Sequence, residues 1–293
     1  MNRDLIRSLL PGAMLDYLRS ARRRRQQAAV RKLPQLTEAD LRTIVTDRLG
    51  VQKGDLIFVH SSIDRLHLAF PFYQILSMLR SILGEEGTMI FPTYPKLTSY
   101  KFLVSGEMFD VRKTPSYTGA LTEFARRQRD GIRSLHPTKS VVAIGPLAAY
   151  LTDSHHISPY PYDKDSPYFR LVEKEGKAIG IGVRTANLSM VHTVDDDLKK
   201  AFPVKPYAET LFQAPCRDYS GTDVVVPTYA HDMRKMDFDI PSFMKAHIPE
   251  ALSQDLLISG MPFFRAEAAP LFERMRRLAS EGITIYRQRH YTR

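Results

Sequence analysis

A chain of 293 residues, 43% hydrophobic and with one cysteine, Cys216, is long enough to bury a large core but cannot close an internal disulfide, and it holds no apolar run near the ~20 residues of a membrane-spanning helix. The net charge of +10 sits mostly at one end: residues 1–35 carry nine Lys/Arg against two Asp, a net of +7, leaving +3 from Leu36 onward. A nearly neutral body lacks the basic face that nucleic acid requires, and a lone thiol points to a reducing, cytoplasmic setting.

The first 35 residues read as a basic arm on a single domain spanning 36–293. Leu5, Ile6, Leu9 and Leu10 form one apolar patch, Met14, Leu15 and Leu18 a second, and the run Arg22–Arg25 closes the segment. Pro11-Gly12 breaks the apolar residues too early for a cleaved secretion signal. Such a segment suits an anionic membrane surface, where each Lys or Arg contributes ~1 kcal/mol. A solvated tail, or a helix packed on a neighbouring subunit of a homo-oligomer, accounts for the same residues.

From Leu36 the pattern is globular. Thr37 with Asp40 predicts a capped helix start. Asp55–Val59 reads as a buried strand ending at His60, and Phe72, Ile75, Leu76, Leu79, Ile82 and Leu83 recur at helical spacing up to Gly84. Thr88–Phe91 is the next strand, stopped by Pro92, and residues 96–114, without a clear period, are expected to form an ordered loop over the site. A helix near 119–129, a strand near 140–144, a helix capped by Ser166-Pro167 and a strand over 178–183 follow. Then come a helix carrying His192, a strand-and-turn region over 206–262, a helix near 267–280 and a short strand at 283–286. Strand, helix and strand in alternation predict an α/β fold.

His192 and Asp195, three apart, share a face if the segment is helical, so the carboxylate can hold the imidazole and stabilise its protonated form. That pairing suits a general base working near neutral pH. The run Asp195-Asp196-Asp197 leaves open which acid acts, and a helix start decorated with acids or a Mg²⁺ or Mn²⁺ site would use the same residues. His136, between Leu135 and Pro137, is either a positioned site residue or a histidine packed beside proline. Cys216, with only Arg217 beside it, reads as a buried structural thiol, and His155-His156 as part of a surface loop rather than a zinc site.

Four segments in one order carry a more specific signal. They are His60-Ser61-Ser62; Phe109-Asp110 with Thr114-Pro115-Ser116 and Gly119; Arg133-Ser134-Leu135-His136-Pro137 with Ser140; and His192 with Asp195. Their order and spacing, from about Leu36 to the C-terminus, resemble the aminoglycoside 3-N-acetyltransferase family. The resemblance implies an α/β fold with a central sheet flanked by helices, acetyl-coenzyme A as co-substrate, no metal, and acetylation of an amine on a sugar. It implies that His192 is the base, that Asp195 supports it where the family usually has Glu, and that His136 lies where donor and acceptor meet. It assigns His60, Ser61, Ser62, Thr114, Ser116, Gly119 and Ser140 to coenzyme A, with Arg112, Lys113 and Arg133 as candidates for its phosphates. Thr118 and Lys139 stand where Met and His are common in relatives.

An aminoglycoside is a polycation and calls for an acidic pocket, yet acidic and basic residues nearly balance between Asp163 and Asp239. The expected acceptor is therefore a nucleotide- or lipid-linked amino sugar of surface-polysaccharide synthesis, with the basic arm at the inner membrane face. An aminoglycoside acceptor, as in resistance enzymes, is the alternative within the family. Outside it stand a metal-dependent glycosyltransferase using Asp195–Asp197 and a non-catalytic membrane-surface protein.

Overall fold

Side chains alternate across the central sheet of the computed structural model, which describes residues 12–232 and 237–287. The strands are β1 (Leu56–Ser61), β2 (Thr88–Pro92), β3 (Phe109–Asp110), β4 (Ile132–Arg133), β5 (Val141–Ile144), β6 (Lys177–Ile181), β7 (Tyr207–Arg217), β8 (Asp223–His231), β9 (Ser253–Ile258) and β10 (Met261–Glu267). Seven of them form one mixed sheet in the order β4-β5-β2-β1-β6-β10-β9. At its centre β1 runs parallel to both β2 and β6, and the remaining pairings are antiparallel.

Because successive residues point to opposite faces, Leu56 and Phe58 of β1 enter one core with Ala178, Phe264 and Ala266, while Ile57 and Val59 enter another with Ile179, Ile181 and Phe263. Both faces being buried explains why β1 reads as a continuous apolar run rather than an alternating one. Each fully buried Ile, Leu or Phe contributes about 1.5–3 kcal/mol.

Helices cover both faces. The helices are α1 (Gly12–Val30), α2 (Glu38–Thr43), α3 (Gln74–Leu83), α4 (Ser99–Ser105), α5 (Ala120–Arg126), α6 (Ala148–Thr152), α7 (Pro167–Glu173), α8 (Thr193–Leu198), α9 (Ile240–His247) and α10 (Ala268–Ser280). Leu41 of α2, the apolar stripe Ile75, Leu76, Leu79 and Leu83 of α3, and Leu121 of α5 fill one side. Leu151, Tyr168, Leu171, Val194, Phe243 and Leu271 of α6 to α10 fill the other. The central sheet flanked by helices is the architecture expected from the sequence. The Thr37–Asp40 capping box, the Gly84 cap with φ +67° and the Ser166 cap with Pro167 in the first turn are all present.

A second, three-stranded sheet, β3-β7-β8, closes a smaller core of Phe102, Phe109, Val111, Ala214, Cys216 and Val226. Here the sequence expectation needs correction. Residues 96–114 are not a plain loop: Phe102 and Leu103 of α4 pack under β7 and β8, and Phe109 pairs with Cys216 in a parallel bridge. The region 206–262 contains α9, capped by Asp239 with a proline in its first turn. The expected strand at 283–286 reduces to one bridge, Phe238 to Tyr286.

Of the arm, α1 is one continuous helix, and the apolar patch Leu5–Leu10 lies outside the described residues. The segment after α1 is tied to the body rather than detached. The carbonyl of Leu33 meets His67 Nδ1 at 2.7 Å, and Leu36 N–H donates to the carbonyl of His67. No described helix is long and apolar enough to cross a membrane.

Candidate active site

The strand ends of β1 and β6 converge on a cleft. Ser62 N–H donates to Ile181 O at 2.9 Å, and Gly182, with φ +77°, lets the chain turn where a Cβ would come within 2.3 Å of Ser62 O. Ligands collect at such carboxyl-terminal strand edges.

The cleft has two lobes. One, of about 430 Å³, is lined by residues including His60, Ser61, Asn187 and Ser189; the other, of about 360 Å³, runs along Pro95 to Ser99 and is closed by Thr138 and His231. Tyr94, Tyr117, Thr118, Lys139, His192 and Phe238 belong to both and mark where the lobes meet. Buried polar atoms normally have partners. Four that have none among the described residues, His60 Nε2, Ser61 Oγ, Thr138 Oγ1 and His231 Nε2, belong to residues lining these lobes.

His192 ends a 3₁₀ turn, Ser189–His192, and sits at the cap of α8, so Asp195 comes round onto its side. His192 Nδ1 lies 3.0 Å from Asp195 Oδ2 and 3.2 Å from the hydroxyl of Tyr286, which donates to the same carboxylate oxygen. Burial and the Asp195 charge hold the Tyr286 hydroxyl well above its usual pKa, so it remains a donor. Nε2 makes no hydrogen bond among the described residues, and the ring lines both lobes. The result is an imidazole with one nitrogen fixed from behind and the other directed at the junction.

The three adjacent acids separate. Asp195 serves His192; Asp196 accepts the N–H of Tyr162 at 2.7 Å and the hydroxyl of Tyr207 at 2.8 Å; Asp197 lies 3.8 Å from Arg276. Burial and the neighbouring Asp195 raise the Asp196 carboxyl well above its usual range. They do not converge on one ion, which removes the geometric basis for a glycosyltransferase centre on this triplet. His192, Asp195 and His231 hold atoms able to ligate a metal within 4.8 Å of one another, but the carboxylate is already committed to the imidazole and Tyr286.

His60 and Ser61 are where the sequence placed them, at the end of β1 in the first lobe. His60 is buried against Phe58 at 4.5 Å, and burial pushes its pKa down to about 3, so it is neutral. Ser62, Thr114, Ser116, Gly119 and Ser140 do not line either lobe. Thr114 Oγ1 accepts from Asp110 N–H, and Ser116 Oγ lies among the hydroxyls of Thr118 and Thr122. Gly119, with φ +133°, brings the start of α5 against Ser61 O, while Thr118 is the residue of that block that reaches the cleft. Ser140 Oγ donates to Thr93 O.

Two expectations fall to burial. Arg133, 2% exposed, spends its guanidinium on Thr93, Thr114 and Ser140 and is not a surface phosphate ligand; Arg112 and Lys113 remain exposed. His136 is fully buried behind the cleft wall and does not line it. Its Nδ1 accepts the N–H groups of Thr138 and Lys139 at 3.3 and 3.1 Å, and its ring stacks on His155 at 4.5 Å. Burial first, and the neighbouring His155 and Lys139 next, keep it well below its usual pKa. His155 is accordingly a core residue, not part of a surface loop, with its pKa pushed down to about 3 by burial. Cys216 is buried as expected, its thiol pushed up to about 12 by burial and therefore inert.

Three site residues escaped the sequence reading. Tyr286 reaches His192 across 94 positions. His231, at the end of β8, faces His192 with ring centres 4.9 Å apart and stacks on Tyr207 at 4.5 Å. Lys139 is the third, marked in the sequence only by its departure from the family pattern. Its ammonium lies 4.9 Å from the Tyr94 ring and 5.9 Å from that of Tyr162.

A family profile described as aminoglycoside 3-N-acetyltransferase matches residues 58–250. The aminoglycoside N(3)-acetyltransferase III of Serratia marcescens is 30% identical over 158 residues, 49% of this chain and 58% of its own length. The match thus spans little more than half of such a relative. Among solved structures, aminoglycoside acetyltransferase AAC(3)-Xa superimposes with a TM-score of 0.71 at 19% identity, covering 92% of this chain and 99% of that one. AAC-IIIb, in a binary complex with coenzyme A, does so with a TM-score of 0.68 at 20% identity, covering 87% and 100%.

Proposed function

We propose that this chain, which belongs to the aminoglycoside 3-N-acetyltransferase family, transfers an acetyl group from acetyl-coenzyme A to an amine of a sugar. The observation that carries the reading is the His192 imidazole at the meeting of two lobes, with Asp195 and Tyr286 fixing its far nitrogen. In this reading the His60–Ser61 lobe takes the thioester end of the donor and the Lys96–Ser99 lobe takes the acceptor. The structurally similar AAC-IIIb, in its binary complex with coenzyme A, supports the donor.

The chemistry follows from the geometry. A sugar ammonium is unreactive until it loses a proton, and His192 Nε2 is the group placed to take it. The freed lone pair attacks the thioester carbonyl carbon, and the carbon–sulfur bond breaks as the tetrahedral intermediate collapses. The departing thiolate takes a proton from the imidazolium, and the second proton that the nitrogen sheds as the amide forms is released to solvent. Asp195 stabilises that imidazolium while it exists, and Ser61 Oγ, unpartnered at the lobe wall, is available to the developing oxyanion.

For the acceptor we propose a nucleotide- or lipid-linked amino sugar of surface-polysaccharide synthesis rather than an aminoglycoside. Asp195 and Asp196 are both engaged by other groups and do not line the cleft, and a polycation meets no carboxylate among the described lining residues. The curated relatives, which are aminoglycoside N(3)-acetyltransferases, favour the aminoglycoside reading. Thiol release from acetyl-coenzyme A, measured with both acceptor classes, decides between them; no release with any amino sugar would sink the enzymatic reading altogether. The arm is proposed to hold the enzyme at an anionic membrane face through Arg22–Arg25 of α1. Removing residues 1–30, which spares the Leu33 anchor, should abolish co-sedimentation with anionic vesicles at low salt; equal binding by the truncated chain ends that idea.

A further inference from the structure

The junction of the two lobes holds a cation that no described side chain neutralises. Lys139 Nζ sits over the rings of Tyr94 and Tyr162 and makes no hydrogen bond or ion pair among the described residues. Its main chain, by contrast, is fixed on both sides: His136 Nδ1 accepts its N–H at 3.1 Å, and the Tyr168 hydroxyl donates to its carbonyl at 2.9 Å. The second lobe adds Lys96, whose Nζ lies 5.9 Å from the Tyr117 ring. No Asp or Glu is among the described residues lining either lobe.

Among the described residues lining the lobes, the other titratable groups supply no negative charge. Burial holds the Tyr94 hydroxyl up at about 12 and that of Tyr162 well above its usual pKa, so both rings are neutral. Burial, and then the nearby His192 and Lys139, keep His231 neutral. Burial also pushes the Lys139 ammonium down to about 8, which leaves it largely cationic at neutral pH. A charge taken from water into aromatic surroundings is costly until a counter-charge reaches it. Ring faces give a cation only part of what a carboxylate or phosphate gives.

We propose that Lys139 is the specificity-determining residue of the acceptor side, binding an anionic group, a phosphate or a carboxylate, on the amino sugar whose amine His192 deprotonates. This rests on the acetyl-transfer reading above. It makes the cleft hostile to a polycation and receptive to a sugar that carries its own negative charge near the amine.

The test compares kcat/KM for glucosamine 1-phosphate, an amino uronic acid and neutral glucosamine in the full-length protein and in Lys139→Met and Lys139→Arg. The preference for the anionic acceptors over the neutral one should be at least about tenfold, should collapse in Lys139→Met through KM, and should survive in Lys139→Arg. The phosphate and carboxylate arms identify which anion is read. An unchanged preference in Lys139→Met, or a fall in kcat that is equal for every acceptor, overturns the assignment. Calorimetric titration of glucosamine 1-phosphate without acetyl-coenzyme A separates this proposal from the one beneath it. Binding that Lys139→Met weakens about tenfold supports the lysine even if no transfer is found. Turnover of an aminoglycoside with no detectable phosphate binding overturns the lysine and leaves acetyl transfer standing.

Discussion

Two histidine pairs in this fold are held in opposite ways. His192 faces His231 at 4.9 Å, and His136 stacks on His155 at 4.5 Å; all four rings are buried or nearly so. What separates the pairs is the partner of Nδ1. In His192 it meets a carboxylate, which fixes the ring from behind, and the ring lines the cleft. In His136 it accepts two backbone N–H groups, which ties up the lone pair and makes the ring a brace for a turn. Residue type and burial are shared; the identity of one hydrogen-bond partner decides between chemistry and scaffolding.

The largest effect that tests this contrast is loss of the base. His192→Ala should lower kcat by about 10²- to 10⁴-fold while coenzyme A binding, followed by calorimetry, stays within a few fold. Turnover equal to that of the unaltered chain would erase the distinction between the pairs. Asp195→Asn should cost less, about ten- to a hundredfold in kcat, since it removes support for the imidazolium and not the base itself. If Asp196→Asn proves the more damaging of the two in kcat, the supporting acid has been misassigned.

The smallest effect concerns stability. His60 and His155 have folded-state pKa values near 3, and His136 and His231 lie well below the usual 6.5. A group whose folded pKa is depressed binds its proton first in the unfolded chain. Stability should therefore rise with pH from about 3 to about 6.5, at up to ~1.4 kcal/mol per pH unit for each such ring. Unfolding midpoints measured from pH 7 down to pH 4 should fall steeply, and His136→Gln should flatten the slope by one ring's share. A flat profile would mean that these four histidines protonate in the native state and are not the neutral rings described.

Much of this was legible in the sequence because the signals are local. The apolar run of β1 ends at His60, the Thr37–Asp40 box opens α2, and the i, i+3 spacing of His192 and Asp195 becomes a hydrogen bond once α8 forms. The misses have a common cause in long-range contacts. Nothing near Tyr286 says that its hydroxyl will reach Asp195, since a single Phe238 bridge replaces the strand expected there. His231 closes a strand that reads as a β-ribbon, and its nearness to His192 arises only when the second sheet, β3-β7-β8, is in place. Some signals were present and overlooked. Asp239 followed by Pro241 is a helix start, and it is the start of α9. Arg133 in an otherwise polar segment looks available for a phosphate, and only the packing shows its three guanidinium nitrogens drawn to Thr93, Val111, Thr114 and Ser140.

Clamping the Lys139 main chain between His136 and Tyr168 has an entropic consequence. Fixing one residue's backbone costs about 1–2 kcal/mol, and that cost is met here when the protein folds, through neutral groups that never touch an acceptor. An arriving anion has only the lysine's rotamers left to immobilise, because the root of the side chain is already stationary. His136 thereby affects the acceptor without approaching it: loosening the turn would return the ordering cost to the binding step and appear as a raised KM, with the proton transfer at His192 left to run at its own rate.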